Sequence, residues 1–124
     1  MLTKRAFLAV FAFSLALAAA APSLAHHGWR WTADGNFELT GIIKTIKLGN
    51  PHGLLTVDAD GEIWTVEVGQ PWRHQRVGLE DAQFQAGKEI KVIGHRAEDP
   101  ANLTVKAERL TLDGQEYVLY PNRD

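Results

Sequence analysis

Two histidines, His26 and His27, follow directly on Ser23-Leu24-Ala25. Ser23 and Ala25 are the small residues a signal peptidase requires at −3 and −1, so cleavage is predicted after Ala25, with His26 as the new first residue. A histidine in that place offers two nitrogens from one position, the α-amine and a ring nitrogen. Completed by a second imidazole, the pair resembles the histidine brace of exported copper proteins, and an all-nitrogen set suits Cu(II) in tetragonal geometry. The α-amine titrates at about 8 in peptides, so a metal has only a modest proton cost to overcome. His27 gives a second mode, because the amine, the intervening amide and its own ring chelate Cu(II) without any fold. A folded site therefore needs a remote histidine.

Three remote histidines exist. His52 sits in Asn50-Pro51-His52-Gly53, a turn by composition, and a loop residue held on a rigid scaffold is pre-positioned for binding. His95 is expected on the outward face of a strand, opposite Ile90 and Val92. His74, beside Arg73 and Arg76, reads as a solvated surface residue. The candidate metal set is His26, His52 and His95, with His27 secondary. Glu67 is expected to face outward, either accepting from a histidine N–H behind the ligands or pairing with Arg73, Arg76 or Arg96.

Other chemistries are narrowed by what the chain lacks. It has no cysteine, and its one methionine is Met1, lost with the leader. A metal site in the mature chain thus has nitrogen and oxygen donors only, which favours Cu(II), Zn(II) or Ni(II) over a sulfur-bound Cu(I). The only serines are Ser14 and Ser23, both in the leader, so covalent acyl transfer has no ordinary nucleophile. No phosphate loop, HExxH, Gly-x-Ser-x-Gly or dinucleotide fingerprint occurs.

The leader itself has the expected order. Lys4 and Arg5 precede an uncharged apolar run from Ala6 to Ala21, and Pro22 ends it. The run is shorter than the roughly 20 residues that span a bilayer, so a cleaved signal (residues 1–25) is expected rather than an anchor. The predicted product keeps eleven of the 13 basic residues and all 15 acidic ones, a net charge of −4. With no basic stripe, neither nucleic acid nor an anionic membrane is the expected partner. Its length suits one small domain stabilised by packing without disulfides.

Residues 26–35 read as an N-terminal arm anchored by Trp29 and Trp31, and residues 36–124 as a single domain. Within it the pattern predicts a long first strand from Phe37 to Leu48, with a change of phase at Gly41 that suggests a bulge. Strands are expected at Leu54–Asp58 and Glu62–Val68, with the Asp60-Gly61 hairpin signal between them. A short helix is expected between Gln70 and Gly78, since Pro suits a first turn and Gly a helix end. Strands at Glu89–Ala97, Thr104–Leu112 and Gln115–Tyr120 complete the order. Three strands, a helix and two or three more strands is the sequence of an OB-like β-barrel, an all-β class with one helix. Its alternative is a plain β-sandwich.

Several of these features occur together in one family. Ala25-His26-His27, the Asn50-Pro51-His52 turn, Trp64-x-Val66-Glu67, Gly87-Lys88-Glu89-Ile90-Lys91-Val92 and Gly94-His95-Arg96 stand here in that order. In this the chain resembles a family of small exported bacterial proteins known as a domain of unknown function. The likeness covers essentially all of the mature chain. Leu48 and Leu79 stand where the family tends to have tryptophan. The resemblance implies a periplasmic barrel and no established activity.

The expected function is thus a non-catalytic, exported barrel that binds a Cu(II)-type metal. The alternative is an interaction or ligand-binding module that uses the loop side of the barrel and the tryptophans, Trp29 and Trp72 foremost. A copper-dependent oxidase is a third reading. The geometric demand on the metal site is clear. The first strand carries the chain about 40 Å, so the ten-residue arm, about 33 Å when extended, must turn back along the barrel to bring His26 to His52.

Overall fold

The computed structural model describes residues 28–123; the expected leader and cleavage site, with His26 and His27, lie outside the described residues. Six strands form: β1 (Phe37–Lys47), β2 (Leu54–Ala59), β3 (Glu62–Glu67), β4 (Glu89–Arg96), β5 (Thr104–Leu112) and β6 (Gln115–Val118). One helix, α1 (Pro71–Arg76), and a 3₁₀ turn at Asp81–Gln83 connect β3 to β4.

The hairpins follow from their turn residues. Asp60 and Gly61 have φ of 52° and 84°, Asp113 and Gly114 of 53° and 77°. Two successive positive φ values define the type I′ turn, whose twist matches that of the strands it joins. β1 pairs antiparallel with β2 and with β4, β2 with β3, and β4 with β5. Parallel pairing of β3 with β5 closes the ring. The result is a closed five-stranded OB-like barrel, as the element order predicts. One edge of β5 serves two partners: Thr104–Lys106 pair with β3, and Arg109–Leu112 with the added strand β6.

The core is one cluster inside the barrel, with Ile43, Leu55, Val57, Val66, Ile90, Val92, Val105 and Leu110 buried. β1 bends where its register against β2 shifts, between Ile43 and Thr45. That is two residues later than expected, so Ile43 is core and Ile42 is exposed. Gly41 keeps the first phase because the Asp58 carbonyl of β2 closes on it, in space a Cβ would fill. Leu48 and Ile46 then pack on the core from the shifted phase.

His74 differs from expectation. It is 2% exposed, and its Nε2 accepts a 2.9 Å hydrogen bond from the Gly69 N–H. His74 is the buried residue of the six-residue α1, and it meets Phe84, whose ring centre is 5.4 Å from the imidazole. Burial holds the ring's pKa below its ordinary value of 6.5, against a smaller upward pull from Asp81.

Candidate functional site: a charged row beneath the N-terminal arm

The described part of the arm, from Gly28, packs against β4 and β5. Thr32 bridges Ala97, the Ala33 N–H donates to the Arg96 carbonyl at 2.9 Å, and the Glu98 N–H to the Trp31 carbonyl at 3.0 Å. Thr32 and Ala33 thus pair beside the end of β4, extending the ladder that β1 makes with it. Trp29 then lies edge-on to His95 and to Tyr120, with ring centres 5.2 and 5.1 Å apart. The Arg123 guanidinium covers Trp29 at 4.2 Å. Trp29 is therefore a packing anchor rather than a free ring, while Trp31 is half-buried beside it.

Beneath the arm runs a row of charges. Glu67 on β3, Lys106 on β5 and His95 on β4 are direct cross-strand partners, so they share one side of the sheet. Trp64, Val66 and Val68 take the opposite, core side. Glu67 does face away from the core, as expected, but it is 4% exposed rather than open to solvent. The arm and the C-terminal segment cover that outer side. Its partner is also not an arginine: Lys106 Nζ stands 3.1 Å from Glu67 Oε1. Lys106, 4% exposed, also donates to the Gly28 carbonyl at 3.0 Å and lies 4.8 Å from the Trp29 ring centre. Burying an ammonium costs several kcal/mol, and here a carboxylate, a carbonyl and a ring face offset it.

The two candidate remote ligands flank this row. His52, in the loop before β2, has Nδ1 3.5 Å from Glu67 Oε1. It is half-buried, and a cavity of about 130 Å³ opens beside it, lined by Leu48, Asn50, Pro51 and His52 among others. His95 lies across Lys106 from Glu67. Its Nδ1 is 3.1 Å from the Ala33 carbonyl and its Nε2 is 4.0 Å from Glu108 Oε2. Lys106 thus separates the two rings, and among the described residues no three His, Asp or Glu side chains converge as a metal site.

Sequence reasoning missed Lys106 and Glu108. Glu108 is fully buried, and its carboxylate meets Arg109 Nη2 at 3.0 Å. It stands where the β4–β5 register slips, between Ile93 and Gly94, and its carbonyl accepts from both the Leu119 and Tyr120 N–H groups. Three charges, Lys106, Glu108 and Arg109, in a strand otherwise of apolar residues and threonine were the available signal. The C-terminal segment that covers them could not be foreseen from it.

Trp72 remains 51% exposed, but its ring is taken by neighbouring guanidiniums, Arg73 at 4.3 Å and Arg76 at 5.4 Å. Arg73 also lies 4.0 Å over Tyr120, and both arginines reach the Leu119 carbonyl at 3.3 Å. Burial pushes the Tyr120 hydroxyl pKa up, partly opposed by Arg73. No helix among the described residues is long and apolar enough to cross a membrane.

Fold and cluster together define a small closed OB-like barrel with the segment from Gly28 to Ala33 laid over a buried charged row. The chain belongs to a family of unknown function, DUF6152, whose pattern matches residues 14–105. Among solved structures it is similar to the Stn1–Ten1 complex of S. pombe, at 17% identity and a TM-score of 0.50, covering 62% of this chain and 57% of that one. A ZRD-deleted mutant of TiaS in complex with agmatine is also similar, at 14% identity and a TM-score of 0.49, over 68% of this chain and 26% of that one. The chain spans about half the length of the first and a quarter of the second, and at 17% identity the likeness to the first is one of fold. No curated protein matches the chain.

Proposed function

We propose that the chain is an exported periplasmic protein, not an enzyme, that holds a Cu(II)-type cation at its processed N-terminus. The His26 α-amine and ring are two donors and the His52 ring is the third. Glu67 stands beside His52 to orient its imidazole or to supply an oxygen donor.

The observation that carries this reading is the course of the arm. Its Ala33 end lies at His95 and its Gly28 end at Lys106. Lys106 contacts Glu67, which in turn contacts His52, over steps of 3.1 and 3.5 Å. His26 is two residues further on, and two extended residues span about 7 Å. Gly28 thus stands at the group that adjoins Glu67 and His52, which supports a shared site. His95 serves in this reading as an anchor of the arm rather than as a direct ligand, since Lys106 separates it from His52.

The test begins with mass spectrometry of the exported chain, which fixes its first residue. Copper titration of that chain against a His52→Ala variant follows. Weakening by about 10-fold or more is expected, the loss of one directed nitrogen ligand. Equal affinity would leave only chelation by the terminal His26-His27 pair, and a first residue other than His26 would end the proposal.

A further inference from the structure

His95 Nε2 and Glu108 Oε2 are both buried, both lack a hydrogen-bond partner, and face each other 4.0 Å apart. The other ring nitrogen, Nδ1, lies 3.1 Å from the Ala33 carbonyl, an atom that can only accept. Nδ1 therefore carries the proton in a neutral ring, which would aim the Nε2 lone pair at the carboxylate's own lone pairs. Two acceptors facing each other in a dry site repel. A proton between them removes the conflict, with the ring then donating from both nitrogens.

We propose that His95 and Glu108 form a proton-operated latch that holds the N-terminal arm on the barrel. With the proton in place, Glu108 fixes the ring from below, and the ring fixes Ala33 and the edge of Trp29 from its other side. Loss of that proton releases the ring from Glu108, and the arm loses its fixed partner. The charged groups around the pair set the local field. On β5 these are Arg109, bonded to Glu108 Oε1, and Lys106, the cross-strand neighbour of His95. From β3, Glu67 neutralises Lys106. From the C-terminal segment, Tyr120 and Arg123 meet Trp29, which covers the ring. Arg96, next along β4, lies instead over Phe37 and Trp64.

The latch does not depend on the metal reading, and its test uses the metal-free exported chain. Hydrogen exchange of the Ala33 and Glu98 amides, corrected for intrinsic rates, is followed against pH alongside ring-nitrogen NMR shifts of His95. As the ring loses its proton, protection of both amides is expected to fall about 10-fold, the equivalent of one charge-assisted hydrogen bond. In Glu108→Gln the side-chain amide can donate to a neutral ring, so the step should vanish. Arm protection that does not track the His95 shifts would overturn the latch. So would an unchanged step in Glu108→Gln. Should that variant fail to fold, the shifts decide: an Nε2 without a proton throughout, with the arm still docked, refutes the proposal.

Discussion

Lys106 and Glu67 illustrate how a buried pair is judged at the scale of one residue. Each is nearly inaccessible, and each is the main compensation of the other. Glu67→Ala should therefore cost about 3 kcal/mol, because it strands the ammonium. The double variant Glu67→Leu, Lys106→Met should cost less than that single change, since no buried charge remains. Urea denaturation of the three proteins checks both statements. His74 gives a pH-dependent prediction. Its folded pKa lies below 6.5, so below pH 6.5 the unfolded chain binds more protons than the folded one. Stability is then full above pH 6.5 and falls as the pH drops below it. His74→Gln can keep an acceptor for the Gly69 N–H without titrating, and its urea midpoint should decline less over that range. The burial of His74 was not legible in the sequence, where its arginine neighbours suggested solvent. A helix of six residues shows too little periodicity to reveal its inner side.

Among the elements, β4 and β5 carry the site, and their bulge is its most exacting feature. A Cβ at Gly94 would collide with the Lys106 carbonyl, which is backbone and cannot rotate away. Gly94→Ala should destabilise the chain by about 2 kcal/mol or more, as overpacking does, and should disturb both His95 and Lys106. Thermal unfolding and the His95 ring resonances would register it. The strands were well marked in the sequence, because alternation and the Asp-Gly turns declare them locally. The position of the β1 bulge was not. It depends on how closely Asp58 of the next strand approaches Gly41, a relation between elements rather than within one.

For the whole molecule, the arm links the proposed export and the proposed binding to the fold. If processing frees His26 and the arm carries it to His52, copper should stabilise only the processed chain. At a free concentration 100 times the Kd, the gain is about 2.7 kcal/mol, measured as a higher unfolding midpoint. A chain that retains its leader should show no such gain, and chelator treatment should remove it from the processed form. An equal gain in both forms would place the copper elsewhere.

Composition and turn chemistry determined the class of fold and the order of its strands, since these depend on side-chain period and on residues that accept unusual dihedrals. They also limited the available donors, Met1 apart, to nitrogen and oxygen. Only the tertiary structure decided which polar residues are dry. Glu67, Lys106, His95 and Glu108 lie on outward-facing positions of their strands, and local pattern assigns such positions to solvent. Glu67, Lys106 and Glu108 are buried, and His95 is half-buried, because segments distant in sequence, the arm from Gly28 to Ala33 and the tail from Leu119 to Arg123, fold over them. Burial is a property of what lies above a residue, and no local pattern contains it.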